Sequence, residues 1–155
     1  QKGFDVLINS FINIQSKMKQ NLFIFGEGEE KNKLCELIKT NNAEKRIKIF
    51  NFTNKPYSYF KSCSLFVLPS RWEGMPNTLI QALASRANIL STNCKFGPKQ
   101  ILKNGKLGYL CKVNDVNDMS KKIIIALKTK KKITYNDLIK YDKKKIIAQY
   151  IKLFN

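Results

Sequence analysis

The segment Ser70-Arg71-Trp72-Glu73-Gly74-Met75-Pro76-Asn77-Thr78-Leu79-Ile80-Gln81-Ala82 gathers residue types suited to holding an anion. Pro76 fits the first turn of a helix, where its missing N–H costs nothing. The N–H groups of Asn77 and Thr78 would then lie in that turn, out of reach of any carbonyl of their own helix. With the positive end of the helix dipole, such free donors make a site for a phosphate. Gly74 lets the backbone come close to a ligand. Asn77 and Gln81 share one helix face, polar against an otherwise apolar helix. Glu73 is an isolated acid on this loop. It has two readings: a charge that merely complements the helix dipole, or a group at the mouth of a cleft. A second turn, Gly26-Glu27-Gly28-Glu29-Glu30, lacks the third Gly of a dinucleotide fingerprint, and its acids would repel a pyrophosphate.

Composition narrows the chemistry further. The chain has 155 residues, a formal net charge of +18 and no His. Without His there is no Ser-His-Asp or Cys-His pair, no imidazole metal ligand and no imidazole pH switch. The basic residues are Lys, apart from Arg46, Arg71 and Arg86, and they crowd into Lys130-Lys131-Lys132 and Lys143-Lys144-Lys145. A solvated face, an anionic membrane surface and a nucleic-acid surface all remain open. The scarcity of Arg, the usual bidentate reader of bases and phosphates, argues against specific nucleic-acid recognition. Ile123-Ile124-Ile125 and Ile146-Ile147 lie among these Lys, so they belong either to the core or to a peripheral membrane face. Cys35, Cys63, Cys94 and Cys111 are spaced too widely for a zinc set and read as small hydrophobes in a reducing, cytoplasmic setting. No apolar run reaches the ~18 residues of a membrane span.

These residues need elements to position them. Leu22-Phe23-Ile24-Phe25, Ile47 to Phe52, Leu65 to Leu68, Asn88 to Ser91 and Gly108 to Cys111 read as short strands. Between them, helical spacing runs from Phe4 to Met18, through Leu34, Leu37 and Ile38, and from Pro56 to Ser62. It resumes through Leu79, Ile80, Leu83 and Ala84, through Ile101 and Leu102, from Val116 to Lys128 and from Asp142 to Phe154. Buried strands alternating with helices predict an α/β domain with a parallel sheet covered on both faces. Ligands of such sheets bind at the C-terminal strand edge, in the loops after Phe25, Phe50, Leu68 and Ser91.

Over nearly its whole length the chain resembles the C-terminal, nucleotide-sugar-binding half of a retaining GT-B glycosyltransferase of family 4. Gln1-Lys2-Gly3-Phe4-Asp5 matches the family's opening motif, and Phe25-Gly26-Glu27-Gly28 its strand and turn. The Ser70–Ala82 segment matches the E-x7-E region, Gly97-Pro98 with Ile101-Leu102 the segment after it, and Tyr141-Asp142 to Phe154 the terminal helix.

The resemblance implies a Rossmann-like three-layer domain over residues 1–130, with residues 131–155 as its helical extension. It implies transfer of a sugar from a nucleotide-diphosphate donor (UDP-hexose or UDP-N-acetylhexosamine) to an acceptor hydroxyl of a glycan or lipid-linked acceptor. No cofactor and no metal are expected. Glu73 would face the donor sugar and Lys2 would pair with the diphosphate. Met75, Pro76, Asn77 and Thr78 would present backbone N–H groups to the phosphates, with Gly74 part of the same donor-binding loop. Phe52, Thr53 and Asn54 would lie by the base.

The second acid of the signature, which would bind the ribose, is here Gln81. The family's acceptor-holding N-terminal domain and the first strand of its C-terminal half have no counterpart in the sequence. A chain of this extent is expected to bind donor weakly and transfer little. A non-catalytic remnant and a basic nucleotide- or nucleic-acid-binding module are the alternatives.

Overall fold

The computed structural model describes residues 1–154, with side chains for all of these but 140, 143, 149, 150 and 152–154. Strands and helices alternate: α1 (Phe4–Ile12), β1 (Leu22–Phe25), α2 (Lys31–Thr40), β2 (Ile47–Phe50), α3 (Pro56–Ser62), β3 (Phe66–Leu68) and α4 (Asn77–Ala84). Then come β4 (Ile89–Thr92), α5 (Pro98–Ile101), β5 (Tyr109–Cys111), α6 (Val116–Lys128), α7 (Tyr135–Leu138) and α8 (Lys143–Phe154).

All pairings are parallel. Leu22 lies opposite Ile47, Phe66 opposite Ile89, and Leu90 opposite Tyr109. The strands form two ladders, β1-β2 and β3-β4-β5, rather than the single sheet expected. Helix α1 spans both. Its Val6 and Leu7 pack with Leu90, Cys111, Met119 and Ile123, while its Ile8 and Phe11 pack with Ile24, Ile38 and Ile47. A third cluster joins Leu79, Ala82 and Leu83 of α4 to Leu68, Ile89, Ile101 and Leu102. Every residue of β4 is buried, as a parallel strand paired on both edges should be.

Several element ends differ from the sequence reading. The first helix stops at Ile12 instead of Met18, because the Ile14 N–H turns back to Phe11 O and a 3-10 turn follows at Gln15–Lys17. Strand β2 ends at Phe50, short of Phe52. The short helix α7 was not anticipated, although its capping box is written in the sequence: Thr134 and Asp137 each satisfy the other's backbone N–H. Ile133, with Leu138 and Tyr141, packs residues of the 131–155 stretch onto the α4 cluster. Ile123 is buried, whereas Ile125, Ile146 and Ile147 are exposed. Among the described residues no helix is long and apolar enough to cross a membrane.

Candidate functional site

The loop after β3 is fixed from its two sides. On one side it meets the start of the chain. Gly3 adopts φ +67°, and a Cβ there would stand 2.1 Å from Pro69 O, so only Gly lets the two backbones approach this closely. The Arg71 N–H donates to Gln1 O at 2.9 Å. The Arg71 guanidinium donates to both carboxylate oxygens of Asp5, at 3.0 and 2.6 Å. Those hydrogen bonds hold the Asp5 carboxyl below its usual range and raise Arg71 above its own.

The result of this stitching is an encounter between residues 71 positions apart: Lys2 Nζ donates to Glu73 Oε1 at 2.9 Å. The Glu73 side chain is 10% exposed and that of Lys2 53%, so the carboxylate is largely covered while the ammonium stands in solvent.

On its other side the loop meets the turn after β4. Gly97, at φ +86°, leaves room where a Cβ would lie 2.5 Å from Pro76 Cδ and 2.8 Å from Gly74 O. Gly74 itself faces open space. Pro76 caps α4 in an extended conformation, and its carbonyl accepts from the N–H groups of both Leu79 and Ile80. The amides of Asn77 and Thr78 therefore lie ahead of the helix's own ladder, on exposed residues, as the sequence predicts. Pro76 corrects one expectation: it has no N–H to offer a phosphate and contributes its carbonyl to the helix instead.

The remaining predicted residues are more dispersed. Gln81 is half-buried one turn beyond Asn77. Met75 is exposed beside the site. Phe52, 73% exposed, Thr53 and Asn54 follow β2, on the other ladder, and no hydrogen bond connects them to Glu73. Thr53 Oγ1 only accepts from the Lys55 N–H. The four cysteines are free. Burial pushes up the thiols of Cys63 and Cys94, and that of Cys111 to about 12. Two shallow hollows lie elsewhere, one bounded by Asn93, Cys111, Lys112, Asp118 and Lys122, the other by Ala84, Tyr135, Leu138 and Tyr141. Glu73 lines neither of these hollows.

Sequence reasoning gave no role to Asp5, Gly97 or Thr92. Asp5 and Arg71 carry opposite charges, but nothing local in the sequence brings them together. Gly97 followed by Pro98 was a turn signal whose role in spacing two loops depends on tertiary contact.

Electrostatically, the site presents one ammonium, the free amides of a helix start and a covered carboxylate at the C-terminal edge of β3. Such a combination has the chemistry to attract a polyanion and to offer an acceptor of hydroxyl hydrogen bonds beside it.

Comparison with known proteins bears on the family and the fold. A family model described as glycosyl transferases group 1 matches residues 1–145. An uncharacterized glycosyltransferase of Methanocaldococcus jannaschii is 42% identical over 103 residues, covering 66% of this chain and 25% of that protein. The poly(ribitol-phosphate) alpha-N-acetylglucosaminyltransferase of Staphylococcus aureus is 29% identical over 162 residues, covering 99% of this chain and 33% of its own length. A crystal structure of S. aureus TarM in complex with Fondaparinux, alpha-GlcNAc-glycerol and UDP superposes with a TM-score of 0.86 at 25% identity, over 99% of this chain and 33% of that one. This chain spans between a quarter and a third of these relatives. The parallel α/β fold expected from the sequence is the fold of these GT-B enzymes. With its matching motifs, its fold and its relatives in agreement, the chain belongs to the glycosyl transferases group 1 family.

Proposed function

We propose that this chain is the donor-binding, C-terminal half of a retaining family 4 glycosyltransferase that takes a UDP-hexose or UDP-N-acetylhexosamine. The reading is supported above all by the meeting at 2.9 Å of Lys2 with Glu73, on the loop that leads into α4. The relatives named for N-acetylglucosaminyl transfer and the structure containing UDP point the same way. The whole protein then transfers sugar to an acceptor hydroxyl in glycan or polysaccharide synthesis, and a further domain holds the acceptor and closes over the donor.

In this reading the Asn77 and Thr78 amides and Lys2 stabilise the negative charge that grows on the departing diphosphate. Lys2 exchanges its bond to Glu73 for a phosphate oxygen, and Glu73 accepts from hydroxyls of the donor sugar. Gln81 keeps an acceptor for the ribose but lacks the charge that strengthens such a bond. Calorimetric titration of UDP into the chain tests the donor site. Binding is expected, weakened in Lys2→Ala, and equal affinity in the two proteins rejects the role of Lys2. In the full enzyme Glu73→Ala is expected to abolish transfer with the fold intact, and near-normal turnover removes Glu73 from the site.

A further inference from the structure

The Glu73 carboxylate is aimed by a chain of buried hydroxyls beneath it. Ser70 is fully buried, and its Oγ donates to Glu73 Oε1 at 2.6 Å. The Ser70 backbone is fixed in turn by Thr92 at the end of β4, also fully buried, whose Oγ1 donates to Ser70 O at 2.5 Å. The two hydroxyls thus tie the loop after β3 to the neighbouring strand.

Oε1 of Glu73 receives both Ser70 Oγ and Lys2 Nζ, whereas Oε2 has no partner among the described residues. A carboxylate held through one oxygen by a buried donor keeps its plane fixed and leaves the other oxygen for a ligand. The Lys2 bond comes from an exposed side chain and is exchangeable. The Ser70 bond comes from a side chain with no solvent to turn to.

We infer that Ser70 is a positioning residue that, braced by Thr92, presents Glu73 Oε2 to the sugar of the donor and so confers preference for the nucleotide sugar over the bare nucleotide. This rests on the donor-site reading above. It assigns a specific task to a hydroxyl at the end of β3 that otherwise reads as part of a strand–loop junction.

The test compares dissociation constants for UDP and UDP-N-acetylglucosamine in the unmodified chain, Ser70→Ala and Thr92→Val. Ser70→Ala is expected to weaken the sugar nucleotide about tenfold, the scale of one hydrogen bond to a charged group, while UDP affinity changes less than twofold. Thr92→Val, which keeps the side chain's shape, is expected to fall between Ser70→Ala and the parent. Equal losses for both ligands, or none, overturn the inference.

A crystal structure of ligand-free Ser70→Ala gives a readout independent of binding. Glu73 is expected to rotate away from its present plane, and an unmoved carboxylate overturns the proposal. If the unmodified chain binds neither ligand, the donor-site reading fails, and the crystal structure still decides whether Ser70 aims Glu73.

Discussion

The two ladders of this domain are built to different standards. In β3-β4-β5 the central strand is wholly buried, and the loops above it are tied down by Ser70, Thr92, Arg71, Gly3 and Gly97. In β1-β2, Ile24 and Ile47 are buried, but Phe23 is 52% and Phe50 42% exposed, with the Phe50 ring against those of Phe23 and Phe25. The candidate phosphate and sugar site rests on the first ladder. The segment matched to the base, Phe52–Asn54, rests on the second. Groups that must stabilise developing charge need fixed positions, whereas an apolar rim against a flat ring tolerates more freedom. Under the proposed function, the difference in construction follows the difference in chemical task.

The largest test of this contrast truncates a buried side chain packed beside the first ladder and an exposed one on the second. Leu79 is fully buried in the α4 cluster, so Leu79→Ala is expected to cost about 2–5 kcal/mol. Thermal melting would then fall by several degrees or abolish the fold. Phe23→Ala removes a side chain already half in water and is expected to cost about 1 kcal/mol or less. Similar losses in the two variants would contradict the reading of Phe23 as a side chain that stays largely in water.

The next test concerns the glycines. Gly97→Ala must accommodate a Cβ against Pro76 and Gly74 O at a positive φ, so the loop carrying Glu73 has to shift. Its melting temperature and its UDP affinity are both expected to drop, the latter about tenfold or more. Gly74→Ala meets no protein atom nearby. It is expected to melt with the parent while still binding UDP more weakly, because its new methyl faces the ligand. A Gly74→Ala protein with unchanged UDP affinity would remove Gly74 from the donor site.

Much of this was legible in the sequence, for identifiable reasons. Leu22–Phe25 and Phe66–Leu68 are continuous apolar runs, and Pro76 ahead of Leu79 and Leu83 marks a helix start, so the strand–loop–helix around Glu73 follows from local pattern alone. The break after Ile12 was not legible, since the apolar spacing continues and the turn is decided by backbone hydrogen bonding and packing. Lys2 came to the site only through a resemblance, because its partner lies 71 residues away. Thr92 was hidden more deeply: a Thr in a strand has high β-propensity, and nothing in its neighbours tells a brace from a filler.

Gln81 offers a smaller effect on the well-built ladder. Restoring the family's acid with Gln81→Glu is expected to improve UDP affinity by about 1 kcal/mol, roughly fivefold, through charge-assisted hydrogen bonds to the ribose. Calorimetry on both proteins measures it. Equal affinity would place position 81 away from the ribose and leave the contrast between ladders resting on the phosphate end alone.

The smallest expected effect separates charge from packing in the stitching of this ladder. Asp5, bound to Arg71, has a carboxyl pKa below its usual 3.8, so the folded state releases this proton more readily than the unfolded chain does. The associated stability is fully present above pH ~4 and is lost as the pH falls through the lowered value. Both side chains are partly exposed, so the contribution is about 1 kcal/mol or less. Asp5→Asn is therefore expected to melt about 2 °C below the parent at pH 7, with the two curves converging as the pH falls through the lowered Asp5 value. If the difference persists at low pH, the Asp5 side chain matters through its shape and neutral hydrogen bonds. The chain start would then be held to the Arg71 loop chiefly by the Gly3–Pro69 approach and the Gln1–Arg71 backbone bond rather than by this ion pair.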